Sequence, residues 1–308
     1  MDKIIFFQLF QMHPLFKSEQ NFFDKLSKLQ SDFFKDHHRV EEVLREHHHH
    51  LFAYWQESGA IKNTLWSQLL HQQQRGFSWV ARGDAEYPKC FYYLDDPPWL
   101  LNYLGSLELF QKPLIAVVGS REMSPFTEKW LASELNPFIK ENKLNVVSGG
   151  ARGVDQWSHL SSLRAQEGTV VIVPSGLGHI YPSSLKNWCD EILEKKGVLI
   201  SEFPFGCGMQ KSFFQHRNRL IAAAGLVTLV VQARQRSGTM ITAQRAAHLG
   251  KAVWVVPGHP CDIHFEGSMN LIAEGATLVR DAQELGAYWK SECQMMAAQS
   301  LPIGNFSH

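Results

Sequence analysis

The chain has 308 residues, 44% of them hydrophobic and 19% charged, with 30 Lys+Arg against 30 Asp+Glu. This excludes a disordered, collagen-like or coiled-coil chain and suits one large domain or a core with a small appendage. Taken whole, a net charge of zero argues against a nucleic-acid partner.

Residues 1–75 predict a small helical domain. Met1–Phe10 is apolar but interrupted by Asp2 and Gln8, and it lacks the small-residue cleavage site of a secretory leader. Phe22, Leu26, Leu29 and Phe33 recur at helical spacing, as do Val40, Leu44, Leu51 and Trp55. Gly59 ends a segment, and Leu65, Trp66, Leu69 and Leu70 mark a third short helix. The run His47-His48-His49-His50 falls mid-helix with only His47 and His50 on one face, which favours a solvated face over a metal tract. Residues 75–98 hold Gly76, Gly83, Pro88, Pro97 and Pro98, and a soft boundary belongs there.

Residues 76–290 predict an α/β core. Continuous apolar runs at Leu114–Val118, Leu144–Val147, Thr169–Val173, Val198–Ser201, Leu226–Val231 and Ala252–Val256 read as strands covered on both faces. Helical segments fall between them at Thr127–Lys140, Asp155–Gln166, Ser183–Lys195, Asn218–Ala224 and Thr239–Leu249. The alternation argues for a doubly wound, mainly parallel sheet. Residues 291–308 read as a C-terminal tail without a winged helix. No apolar run approaches the ~18 residues of a membrane-spanning helix. Five scattered cysteines fit a reduced, cytoplasmic protein with neither a disulfide framework nor a cysteine zinc site.

In such a sheet the loops beyond the strand carboxyl ends carry function, because helix N-termini there point amides at anions. Gly119-Ser120-Arg121 has one glycine where a dinucleotide fold would show G-x-G-x-x-G, so a nicotinamide or flavin cofactor is not expected. Arg121 offers a fork for phosphate, or a structural ion pair. Ser148-Gly149-Gly150-Ala151-Arg152-Gly153-Val154-Asp155 permits close backbone approach; Asp155 suits the N-cap of the following helix. After the fourth strand come Ser201-Glu202-Phe203-Pro204, Lys211 and Arg217-Asn218-Arg219. Arginines two apart at a helix start point in different directions, one toward a phosphate and the other toward a carboxylate such as Glu202. Arg234-Gln235-Arg236-Ser237-Gly238-Thr239 forms a second candidate anion cradle.

Neutrality is an average over opposing parts. Residues 1–105, 106–202 and 262–308 carry net −2, −1 and −4, whereas residues 203–261 hold seven basic residues and no acid. An acid-free stretch of this kind reads as a surface that meets an anion.

The motifs GSR at 119–121, SGGARGVD at 148–155, GLGHIYP at 176–182, SEFP at 201–204, RNR at 217–219, SGTMITA at 237–243 and PG at 257–258 resemble, in order and spacing, the DNA-processing protein DprA (Smf) family. The resemblance covers roughly residues 76–286. It implies an extended Rossmann-like fold that binds single-stranded DNA, loads the recombinase RecA onto it during natural transformation, forms a homodimer and needs no cofactor. Carried onto this chain, it implies a DNA pocket of Arg121, Ser148, Gly149, Gly150, Arg152, Gly153, Lys211, Arg217, Asn218, Arg219, Ser237, Gly238 and Thr239. The chain departs from the pattern at Gln215 (usually Pro), Gln232 (usually Glu) and Met269 (usually Asn). Phe203, Phe205, Phe213, Phe214 and Tyr181 are aromatic candidates either for base stacking or for burial. An alternative is a nucleotide phosphoribohydrolase of the LOG type. Its P-G-G-x-G-T loop is replaced here by Pro257-Gly258-His259, and Ser237-Gly238-Thr239 lacks its glutamate.

Overall fold

The computed structural model describes residues 2–11, 26, 34–47 and 49–300. Nine strands form one sheet in the order β1-β2-β6-β5-β4-β3-β7-β8-β9. They are β1 (Phe77–Ala81), β2 (Leu100–Gly105), β3 (Leu114–Val118), β4 (Asn145–Ser148), β5 (Thr169–Ile172), β6 (Val198–Ser201), β7 (Gly225–Val230), β8 (Val253–Val255) and β9 (Thr277–Leu278). The six expected strands are β3 to β8, and all neighbouring pairs among them are parallel. Their apolar runs are continuous because both faces are covered. In β3, Leu114, Ala116 and Val118 enter the core on one face, and Ile115 and Val117 enter the core on the other.

Three strands had no counterpart among the expected elements. β1 and β2 pair antiparallel and extend the sheet beyond β6, and β9 pairs parallel with β8 at the opposite edge. The turn residues around them dominate the local pattern, and their strand character comes from pairing. The Asn102 amide ties the extension to the loop after β6 by donating to the Phe203 carbonyl at 3.0 Å.

The N-terminal helices are α1 (Asp2–Gln11), α2 (His37–His47), α3 (His49–Glu57) and α4 (Gly59–Gln74). Val40, Leu44, Leu51 and Trp55 are buried, as their spacing predicts, against Phe6, Phe7 and Phe10 of α1 and against Ala81, Trp99 and Leu100 of the sheet extension. Gly59 starts a helix rather than ending one, and Trp66 and Leu70 of α4 are exposed while Leu69 is buried. Leu26 aside, the predicted Phe22–Phe33 helix lies outside the described residues. So do His48 and the side chains of His47, His49 and His50.

Helices of the core are α5 (Pro125–Trp130), α6 (Asn136–Asn142), α7 (Val154–Arg164), α8 (Cys189–Glu194), α9 (Lys211–Ala224), α10 (Gly238–His248), α11 (Glu266–Ala273) and α12 (Ala282–Ser300). α9 and α10 cover one face of the sheet; α5, α6 and α12 cover the other. Several boundaries differ from expectation; the α-helix expected from Ser183 begins only at Cys189, after a 3-10 helix. α12 crosses residue 290, so residues 291–300 are helical rather than tail. α9 begins at Lys211, seven residues before the expected Asn218, because its N-cap Gln210 makes no side-chain capping bond and leaves no signal of a start. Arg217 and Arg219 therefore lie within the helix, not at its start.

Candidate functional site

The order of the parallel strands reverses between β3 and β7. At their carboxyl ends lies a cleft of about 230 Å³, lined by Gly119, Ser120 and Arg121 after β3 and by Ala151 and Asp155 near the start of α7. Phe214, Arg217, Asn218 and Ile221 of α9 form one wall, and Arg234, Ser237, Gly238 and Thr239 after β7 close it. Two helices, α7 and α10, begin at this edge, so the positive ends of two helix dipoles face it.

Glycine is required where these loops meet. A Cβ at Gly119 would lie 2.6 Å from the Val154 side chain, so only glycine lets α7 seat against the end of β3. Gly153 has φ +84°, and a Cβ there would lie 2.8 Å from the Arg121 backbone. The Val154 amide donates to the Ser120 carbonyl at 3.1 Å, locking the two loops. Ser148 is fully buried and donates to the Val117 carbonyl at 2.6 Å. On α10, the Ser237 hydroxyl caps the helix by accepting from the Met240 amide at 3.4 Å and donates to the Arg234 carbonyl at 2.9 Å. Gln232, one of the departures from the family pattern, is fully buried. Its Oε1 accepts from the Ser124 amide at 3.1 Å and the Thr127 hydroxyl at 2.5 Å, and its Nε2 donates to the Glu122 carbonyl at 3.1 Å. A glutamate could make the first two bonds; only the amide supplies the third.

The arginines divide into two kinds. Arg217 is 4% exposed, and its Nη1 donates to the Gly149 and Ile172 carbonyls at 2.6 and 2.7 Å while its Nε donates to Asn218 Oδ1 at 3.0 Å. A side chain on Gly149 would collide with this guanidinium. Burial pulls Arg217 down to about 10, partly offset by the Asp155 carboxylate, and Arg121 adds like-charge repulsion. Burial raises Asp155 above the usual carboxylate range, and Arg217 opposes that rise. The Asp155 carboxylate accepts from the Ala151 amide at 3.3 Å and so fixes the loop; it does not cap the helix as its position suggested, because α7 starts at Val154 with Gly153 as its N-cap. Asn218 relays this order outward, donating to the Gly238 carbonyl at 3.2 Å. Arg219 points to the other side of α9, pairing with Glu202 at 2.5 Å and lining a second cleft with Asp96, His216 and Arg245. Lys251 donates to the Ala223 and Gly225 carbonyls at the end of α9.

Arg121, by contrast, is exposed, with its guanidinium 5.1 Å above the Phe214 ring. With Asp155 balanced by Arg217, Arg121 is the uncompensated charge of the cleft floor. Arg234 stands at the mouth, about half exposed and 3.3 Å from the Glu122 carboxylate. Arg152, Lys211 and Arg236 are exposed but outside the lining. Lys211 is the first residue of α9, one turn from Phe214 on the same face.

Of the expected site residues, the structure thus gathers Arg121, Arg217, Asn218, Ser237, Gly238 and Thr239 in the cleft. Ser148, Gly149, Gly150 and Gly153 support it from below, Arg152 and Lys211 flank it, and Arg219 lies apart. Arg234 and Phe214 join the lining although the implied pocket omits them. The spacing of Lys211, Phe214, Asn218 and Ile221 would have marked this face, given the true start of α9. Of the aromatic candidates, Phe203 and Phe213 stack on each other at 3.9 Å, Phe205 packs on Phe77, and Tyr181 meets Phe214 edge-on.

Residues 78–290 match the family described as DNA recombination-mediator protein A. The chain is similar to the DNA processing protein DprA of Streptococcus pneumoniae, with 36% identity over 66% of this chain and 71% of that one. It spans 55% of the length of the Synechocystis protein Smf, to which it is 30% identical over 70% of this chain. Among solved structures, the S. pneumoniae DprA superposes with a TM-score of 0.69 at 28% identity, covering 93% of this chain and 95% of that one. The DNA processing protein A of Helicobacter pylori, solved for its single-stranded DNA binding mode, gives a TM-score of 0.62 at 28% identity over 70% and 96% of the two chains.

Proposed function

This chain belongs to the DNA recombination-mediator protein A family, and from that premise we propose that it binds single-stranded DNA in the switch-point cleft. The observation that carries the reading is the uncompensated Arg121 guanidinium over Phe214, where two helix N-termini converge. Phosphate oxygens meet Arg121 and Arg234 at the positive ends of α7 and α10; Lys211 and Arg152 extend the cationic path on either side. None of these groups reads a base edge, so binding is independent of sequence. Asn218 and Arg217 hold the walls, and Ser148 and the glycines at 149, 150 and 153 shape the floor. The same reading makes the chain a cytoplasmic homodimer that protects incoming DNA and loads RecA onto it during natural transformation, with no cofactor.

The test is oligonucleotide binding across a salt series. Neutralising Z phosphates on a single strand gives a log–log slope of about −0.7Z. A clear slope, preference for single over double strands, and loss of affinity in Arg121→Ala and Lys211→Glu are expected. Flat salt dependence, or unchanged affinity in both variants, refutes it. Release of free base from nucleoside monophosphates would favour hydrolase chemistry instead.

A further inference from the structure

We propose that Phe126 is a base-stacking platform just outside the cleft, on which a nucleobase lies as the strand passes Arg234 toward the end of β8. The proposal rests on the DNA-binding reading above and adds a contact which the expected pocket lacks.

Phe126 lies in the first turn of α5 and is 55% exposed, whereas the aromatics singled out from the sequence are half-buried against other rings. It meets Phe265 edge-on, with ring centroids 6.2 Å apart, and Ile263 on that same loop is 66% exposed. Hydrogen bonds fix this lip to the cleft. Ser124 and Thr127, on either side of Phe126, are both held by Gln232. Gln232 precedes Ala233 and Arg234 of the cleft lining and also binds the Glu122 carbonyl. From the other side, the Ser268 hydroxyl accepts from the Ala233 amide at 3.0 Å, and a Cβ on Gly267 would lie 2.6 Å from the Arg234 carbonyl oxygen. The loops after β3, β7 and β8 thus form one rim, cationic at Arg121 and Arg234 and apolar at Phe126 and Ile263.

A single strand presents the matching pattern, with phosphates on one side and ring faces on the other. A second protein copy fits less well. Two apolar side chains fall far short of the ~800 Å² per partner of a stable interface. The neighbouring Arg121, Glu122 and Arg234 are also exposed charges, which interface centres exclude.

The experiment uses the full chain with a labelled oligothymidylate and an abasic oligonucleotide of equal length. Phe126→Ala should weaken oligothymidylate binding about 5- to 100-fold while leaving the salt slope unchanged, because a base contact is lost and no phosphate contact is. Phe126→Tyr should restore binding and Phe126→Leu should not, although the leucine keeps apolar volume against Phe265. All three should bind the abasic strand as the unaltered chain does. The proposal is overturned if Phe126→Ala binds oligothymidylate normally, if it loses the abasic strand equally, or if it changes the particle mass, which would make the lip an interface between copies. If the unaltered chain binds no oligonucleotide, the DNA-binding reading itself falls and takes the platform with it.

Discussion

Arg217→Ala and Arg121→Ala remove the same chemical group from one cleft, and they should fail in opposite ways. Arg217 holds two buried carbonyls, at 2.6 and 2.7 Å, and balances the buried Asp155 carboxylate. A hydrogen bond to a charged group contributes about 1.5–3 kcal/mol. Removing the guanidinium also strands two buried carbonyls, at about 1–3 kcal/mol each. These contributions share one network and do not simply add, so the expected loss is about 2–5 kcal/mol, a large share of the ~5–15 kcal/mol by which a domain is stable. Urea denaturation followed by circular dichroism should show a midpoint well below that of the unaltered chain. Arg121 is exposed and accepts no structural burden beyond its contact with Phe214. Its removal should leave stability within about 0.5 kcal/mol and cut single-strand affinity. An unchanged midpoint in Arg217→Ala would refute the assignment of that arginine as the internal strut. A midpoint falling equally in both would refute the division between them.

Glu122→Gln should tighten oligonucleotide binding about two- to fivefold, since an exposed ion pair contributes at most about 1 kcal/mol and the carboxylate competes with phosphate for Arg234; equal or weaker binding by fluorescence anisotropy would contradict this. His159 is fully buried, and burial lowers it from 6.5 to about 3. The unfolded chain therefore takes up a proton that the folded chain refuses, so stability is full above about 6.5 and falls as the pH drops toward 3, by about 1.4 kcal/mol per pH unit. His159→Gln should flatten that part of the stability–pH curve, and parallel curves for the two proteins would count against the assignment.

The six parallel strands were legible because a strand covered on both faces must be apolar at every position, as Leu114–Val118 is. The loops beyond them were legible because glycine, hydroxyl and guanidinium groups cluster there in the sequence itself. That Arg219 pairs with Glu202 was readable as one of two directions for arginines two apart. The start of α9 was hidden by the absence of a capping side chain, and with it the placing of Lys211 and Phe214 on one face. β1 and β2 are strands through their partners rather than their pattern. Phe126 carries no sequence signal beside the expected helix start at Thr127, and only packing shows it exposed.

Charge shows the same division most clearly. The sequence by itself determined that residues 203–261 carry seven cations and no acid. The tertiary structure decided what each cation does. Arg217, Arg219 and Lys251 are bound internally to carbonyls or a carboxylate, Arg245 lines the second cleft, and Arg121 joins the cations of the switch-point cleft from outside the window. A charge becomes available to a ligand only when no partner within the chain satisfies it. Those partners (Gly149, Ile172, Glu202) lie 68, 45 and 17 residues away along the chain and are brought in by the fold.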